Sequence, residues 1–97
     1  MTETADIVIK EGRLVVSGVL NFLTVPVLWT KSTALLADHK ELHIDLSAVT
    51  AANSAGLALA LEWIKYAKTT KKPLSFSHVP PQLASIAAAA GVGQMFQ

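Results

Sequence analysis

The sequence predicts an α/β fold, a sheet with helices packed mainly against one side, and three observations carry that reading. First, Leu42, Ile44 and Leu46 alternate with His43, Asp45 and Ser47, the period of two expected of a strand with one buried face. Second, the same stretch, Glu41–Thr69, passes through small residues at Ala48–Ser54 into Ala55–Lys68, where Leu57, Ala60, Leu61 and Ile64 recur at helical spacing. Third, further alternating and helical segments flank this unit on both sides, so strands and helices interleave along the chain.

Taken in order, Ile7–Ile9 and Leu14–Val16 flank Glu11-Gly12 and read as two short strands joined by a tight turn. Thr24 is placed to cap a helix with Pro26 in its first turn, where a missing N–H costs nothing. That helix should reach about Ala37 and bury Leu28, Leu35 and Leu36, with Trp29 assignable either to the core or to a surface. Asp38-His39-Lys40 is a polar connector. After the central strand and helix, Leu74–Ser77 alternates again. Pro80-Pro81 then opens a last helix carrying Leu83, Ile86, Ala87 and Ala90 on one face, closed by Gly91.

Composition bounds the function. The 97 residues suffice for one domain with a single two-layer core. An apolar content of 52% and a charged content of 15% exclude disorder. No apolar run approaches the roughly 20 residues of a membrane span, and MTETADIV lacks a secretory pattern, so a soluble cytosolic domain without membrane insertion is expected. There are no cysteines, hence no thiolate metal site or disulfide. A net charge of +1 gives no footprint for nucleic acid. No catalytic set converges. His39 and His43 do not share a helical face, and His78 stands alone, so all three are read as solvated or capping histidines. Asp45 is expected to bond the turn that follows it. No phosphate-binding glycine loop is present, and neither a cofactor nor a metal is implied. Lys65, Lys68, Lys71 and Lys72 gather where they would complement a helix dipole.

The central segment DLSAVTAANSAGLALAL resembles the signature loop of STAS domains, the anti-sigma-factor-antagonist fold: a strand ending Asp-Leu-Ser, then Asp-Ser-x-Gly-Leu opening a helix. VSGVLNFLTVPVLW is similar to the Gly-Glu-Leu-x-x-x-Thr-x-x-x-Leu segment of that family, and LASIAAAAGV to its closing helix. The resemblance implies a single STAS domain over residues 1–97, with a small mixed sheet of about four strands. Within the family the chain is most similar to the small MlaB-type subunit of the Mla phospholipid ABC transporter. That resemblance implies a non-enzymatic, cytoplasmic partner of the transporter ATPase, acting in maintenance of outer-membrane lipid asymmetry. The alternative branch implies an anti-sigma factor antagonist, with a serine kinase and anti-sigma factor as partners and Ser54 as the phosphorylation target. The family's acidic residues are replaced here by Val19, Asn21 and Asn53.

The expected partner-binding residues are Asn53, Ser54, Gly56, Leu57, Leu59, Trp63 and Tyr66. A helix N-terminus suits a phosphate on Ser54, because free N–H groups and the dipole favour added negative charge; equally, Ser54 or Asn53 can serve only as the N-cap. Gly56 is required either by close core packing or by a partner's approach. The face Leu57–Ala60–Leu61–Ile64 is expected to cover the sheet, which leaves Leu59, Trp63 and Tyr66 as a second stripe: either neighbouring helices wrap far enough to cover Trp63, or the stripe stays partly exposed as a docking surface. On the docking reading Trp63→Ala should weaken partner binding far more than it lowers the melting temperature.

Overall fold

The computed structural model describes residues 4–96, so the extreme ends of the domain assigned to 1–97, including the start of MTETADIV, lie outside the described residues. Two antiparallel strands, β1 (Ala5–Lys10) and β2 (Arg13–Leu20), meet at the Glu11-Gly12 turn. Helix α1 (Val25–Ala37) crosses to β3 (Leu42–Ala52), which lies parallel to β2; α2 (Ser54–Thr70) crosses to β4 (Leu74–Ser77), parallel to β3. Helix α3 (Pro81–Ala89) and a short 3-10 turn (Gly93–Phe96) finish the described chain, and the sheet order is β1-β2-β3-β4. The mixed four-stranded sheet carries its helices on one face. Ile7, Leu14, Val16, Leu20, Leu42, Ile44 and Leu46 meet them there, while Asp6, His43, Asp45 and Ser75 belong to the open, polar face.

Strand β3 runs five residues past the Ser47 where alternation stops, and the small-residue stretch is therefore strand rather than turn. The register explains why the pattern misleads. Between Val15↔Asp45 and Ser17↔Ala48, and again between Gly18↔Val49 and Val19↔Ala51, β3 spends one more residue than β2. Each shift resets which side chains face the core, so a fixed period of two is lost. Gly18 sits at the second shift with φ +91°, and a Cβ there would lie 2.1 Å from the Thr4 carbonyl oxygen. Only glycine fits.

Helix α2 is rotated from the expected orientation. Leu57 and Ala60 are buried as expected, but they are joined by Ala55, Gly56, Leu59, Trp63 and Ala67, whereas Leu61 is 43% exposed and Ile64 half-buried. Small residues let the helix axis approach the sheet, and the one aromatic side chain among them fills the space that remains. A Cβ on Gly56 would stand 3.2 Å from the Leu20 Cβ and 3.4 Å from the Ala52 Cβ, so close packing accounts for this glycine. Trp63 and Leu59 are each 1% exposed, and Tyr66 is half-buried against the core. The exposed Leu59–Trp63–Tyr66 stripe is thereby corrected: α1 lies over it. The indole Nε1–H of Trp63 donates to the Ser32 Oγ at 3.1 Å, and Ser32, wholly buried, donates in turn to the Trp29 carbonyl at 2.9 Å. Leu28 and Leu36 bury as expected, Leu35 only partly, and Trp29 packs half-buried on the same core.

A second tie joins the far ends of α1 and α2. The Lys72 ammonium donates to the Leu36 carbonyl at 2.8 Å, satisfying a helix end, and lies 5.4 Å from the Tyr66 ring centre. His39 likewise reaches back to the Leu35 carbonyl at 2.8 Å. The C-terminal 3-10 turn, which no periodicity foreshadows, sets Phe96 edge-on to Phe76 with ring centres 5.1 Å apart.

Because the Trp63 N–H has its partner in the core, Ser32→Ala should cost about 1–3 kcal/mol by leaving that donor unpaired. Trp63→Ala should cost about 3–5 kcal/mol through the cavity. In denaturant unfolding, adding Ser32→Ala to Trp63→Phe should then cost less than Ser32→Ala alone; equal costs would remove the hydrogen bond from the account.

Candidate protein-docking site at the carboxyl ends of the parallel strands

Open sheets with parallel strands place functional loops beyond the strands' carboxyl ends, where successive crossovers leave the sheet. Here those loops are Asn21–Thr24 after β2 and Asn53 after β3. They are neighbours: Leu20 pairs with Ala52, and the Asn53 N–H donates to the Leu20 carbonyl at 3.1 Å.

The β2–α1 loop is held by reciprocal bonds. The Asn21 side-chain oxygen accepts from the Leu23 and Thr24 N–H groups at 2.9 and 3.0 Å. The Thr24 hydroxyl accepts from the Asn21 N–H at 3.0 Å and donates to the Val19 carbonyl at 2.7 Å. Thr24 is therefore a buried clamp at the helix start, with its oxygen turned toward the loop rather than toward α1's first-turn N–H groups. The turn so fixed holds Phe22 70% and Leu23 81% exposed, and one helical turn on, Val27 is 67% exposed. These side chains drew no attention in the sequence because a short apolar run before a helix reads as core. Their signal was the polar clamp on either side, Asn21 and Thr24.

The β3–α2 junction resolves the question of the cap. Asn53 takes it, with an extended backbone and its side-chain oxygen accepting from the Ala55 N–H at 2.8 Å. Ser54 is the first helical residue, exposed, and its hydroxyl is not used by the cap. Asn53 and Asn21 thus both act as acceptors, a task their amides perform without the charge a carboxylate would bring. From the other side α3 closes in, the Gln82 side-chain oxygen accepting from the Ala52 N–H at 3.2 Å. A shallow depression of about 610 Å³ lies between Ser54 and the α3 residues Gln82, Ser85 and Ile86. Of the expected contact residues, Asn53 and Ser54 are on this surface. Gly56, Leu57, Leu59 and Trp63 are buried in the packing of α2, and Tyr66 is three turns away.

The polar groups singled out earlier do not join this site. His43 Nδ1 meets Ser75 Oγ at 2.7 Å on the open face of the sheet. Asp45 lies within β3, not at its end. Its carboxylate accepts from the Ser47 N–H at 2.8 Å beside the first register shift, and His78 Nδ1 stands 3.3 Å away. The Ser47 N–H, first, and the neighbouring His78 hold the Asp45 carboxyl below its ordinary value of 3.8, against an opposing effect of burial. Among the described residues no group of three or more His, Asp and Glu is placed to hold a metal, and no helix is long and apolar enough to cross a membrane.

Two outcomes follow. Asn53→Ala should lower stability by about 1 kcal/mol, the usual cost of a lost N-cap, read by thermal unfolding. A carboxyl depressed by folding stabilises the native state above its unfolded pKa, and that contribution is lost as pH falls through the folded value. The stability gap between wild type and Asp45→Asn should therefore be constant at neutral pH and shrink on acidification below pH 3.8; a gap that widens there would refute the assignment.

A family model described as "Mlab, STAS domain" matches residues 4–97. Among solved structures, the anti-sigma factor antagonist SpoIIAA in its unphosphorylated form is similar, with a TM-score of 0.72. At 12% identity, over 96% of this chain and 85% of that one, this likeness speaks for the fold alone. A search of curated proteins returns no match. One-sided helices on a mixed four-stranded sheet, the Asn53–Ser54 launch of α2 and the family match over nearly the whole length agree: the chain belongs to the STAS domain family.

Proposed function

We propose that this STAS domain is a non-enzymatic docking subunit that binds the ATPase of a phospholipid-transporting ABC complex. It would work on the cytoplasmic side, peripheral to the inner membrane, in maintaining outer-membrane lipid asymmetry. The observation that carries the docking reading is the exposed trio Phe22, Leu23 and Val27 beside the Asn53–Ser54 turn. Three of the six exposed large apolar side chains among the described residues fall within this one segment, so the apolar surface is gathered rather than scattered. Large apolar side chains on a hydrogen-bonded turn make interface anchors, because little conformational entropy is lost when they are covered. The choice of an ABC ATPase as partner draws on the description of the matching family model. Such a subunit influences its partner only by preferring one of that partner's conformations.

A second reading is supported by Ser54 itself. Its hydroxyl is exposed at the first turn of α2 and is spared from capping, so it is open to a kinase. A phosphate there would be stabilised by the helix N-terminus and would place about two negative charges in the middle of the docking surface. On this reading the protein is an anti-sigma factor antagonist, with a serine kinase and anti-sigma factor as its partners.

Affinity purification from the native cell, scored for an ABC-transporter ATPase, tests the first reading. Leu23→Asp should weaken the complex by about a hundredfold, as loss of a hot-spot residue does, with the melting temperature nearly unchanged. Ser54→Asp should weaken it too, and unaltered binding by both variants would remove this edge as the contact. Recovery of a phosphate-bearing Ser54 with a kinase, and no ATPase, would favour the second reading.

A further inference from the structure

The opposite end of α2 forms a groove that the docking surface does not use. It lies between the last turns of α2, the edge strand β4 and the C-terminal 3-10 turn, with a volume of about 570 Å³, within the range of small-molecule sites. Its floor is apolar: Ile64, Ala67, Leu74, Phe76 and Met95. Ala67 is buried, but the other four are only half-covered, so the groove presents apolar area that the chain's own packing leaves open.

The rim is cationic. Lys68, Lys71 and Lys72 line it, and no acidic residue does. Lys72 is already occupied, since its ammonium caps α1 and touches the Tyr66 hydroxyl at 3.4 Å. Lys68 and Lys71 make no side-chain hydrogen bond or ion pair among the described residues. Nor are their ammoniums needed to satisfy α2's end. The Lys71 N–H donates to the Ala67 and Lys68 carbonyls, and the Lys72 N–H adds a 2.9 Å bond to Ala67. Two unpaired positive charges therefore stand over an uncovered apolar floor. Each demands a different partner chemistry, and one molecule can supply both.

We infer that this groove binds an anionic single-chain amphiphile, its acyl tail on Ile64, Phe76 and Met95 and its carboxylate or phosphate head between Lys68 and Lys71. Charge complementarity selects that occupant over a neutral or cationic one. The groove's modest volume, about 570 Å³, suits one chain better than a folded peptide segment. The site lies about 15–25 Å along α2 from Ser54, so it stands or falls independently of the docking edge.

The test uses the isolated protein and three probes with the same 14-carbon tail, below their aggregation concentrations. These are myristate, myristoyl-lysophosphatidylglycerol and tetradecyltrimethylammonium. Binding is read by backbone-amide NMR shifts and, in a Trp29→Phe background, by emission of Trp63, whose ring centre lies 6.4 Å from that of Phe76. The two anionic probes should bind saturably at one site, with shifts confined to residues 64–76 and 93–96. The tighter of the two identifies the head group as carboxylate or phosphate. Lys68→Gln with Lys71→Gln should weaken both anions by about tenfold at an unchanged melting temperature, and Met95→Trp should block the tail. Equal affinity for the cationic probe, non-saturating shifts, or an unaffected double variant would overturn the assignment. So would a concentration-dependent dimer abolished by Met95→Trp, since a second copy would then be the occupant.

Discussion

The hydrogen bond from the Trp63 indole to Ser32 is the interaction on which the helical layer depends. A sheet covered on one face has a single apolar surface to seal, and the largest side chain in that seal carries a polar N–H that burial would otherwise leave unpaired. Ser32 supplies the acceptor from the middle of α1, and it can do so because its own proton goes back to the Trp29 carbonyl. One serine therefore fixes how α1 and α2 lie against each other. With them so placed, Leu28, Leu36 and Leu59 close over Leu14, Val16 and Ile44 in one continuous core.

The edge proposed for docking inherits its geometry from that packing. Gly56 brings the first turn of α2 onto Leu20 and Ala52, the last residues of two paired strands. This close approach, with the Asn53 cap, sets Ser54 at the end of the sheet. Next to it, Asn21 and Thr24 satisfy each other's backbone groups, so the turn that displays Phe22 and Leu23 is specified by hydrogen bonds and needs no apolar contact to hold it. The apolar side chains are consequently left over, and leftover apolar area on a hydrogen-bonded turn is what a docking protein can offer a partner. Amides in place of carboxylates at Asn21 and Asn53 keep the local hydrogen bonds while removing charge, which makes the edge more apolar than an acidic version of the same loops would be.

Helix α2 thus connects two surfaces of different chemistry. Its N-terminal end sets exposed Asn53 and Ser54 beside exposed Phe22 and Leu23; its C-terminal end borders an apolar groove rimmed by unpaired lysines. The dipole is consistent with both, favouring negative charge at Ser54 and positive charge at Lys68.

Elements whose signal is local were legible from the chain alone. The order of strands and helices, the Glu11-Gly12 turn, the alternation of Leu42, Ile44 and Leu46, the span of α1 and the start of α2 all follow from periodicity and turn chemistry over a few residues. What the tertiary structure decided was orientation. Counting hydrophobic weight points Leu57, Ala60, Leu61 and Ile64 at the sheet; Leu57 and Ala60 do bury, but close packing turns Leu61 outward in favour of Gly56 and Ala67, which carry little such weight but let the backbones approach. That rotation takes Trp63 inside, where a serine from a segment 31 residues away receives it. No pattern local to α2 encodes a partner in α1, and for that reason the exposed surface lay at Phe22 and Leu23 instead of along the helix.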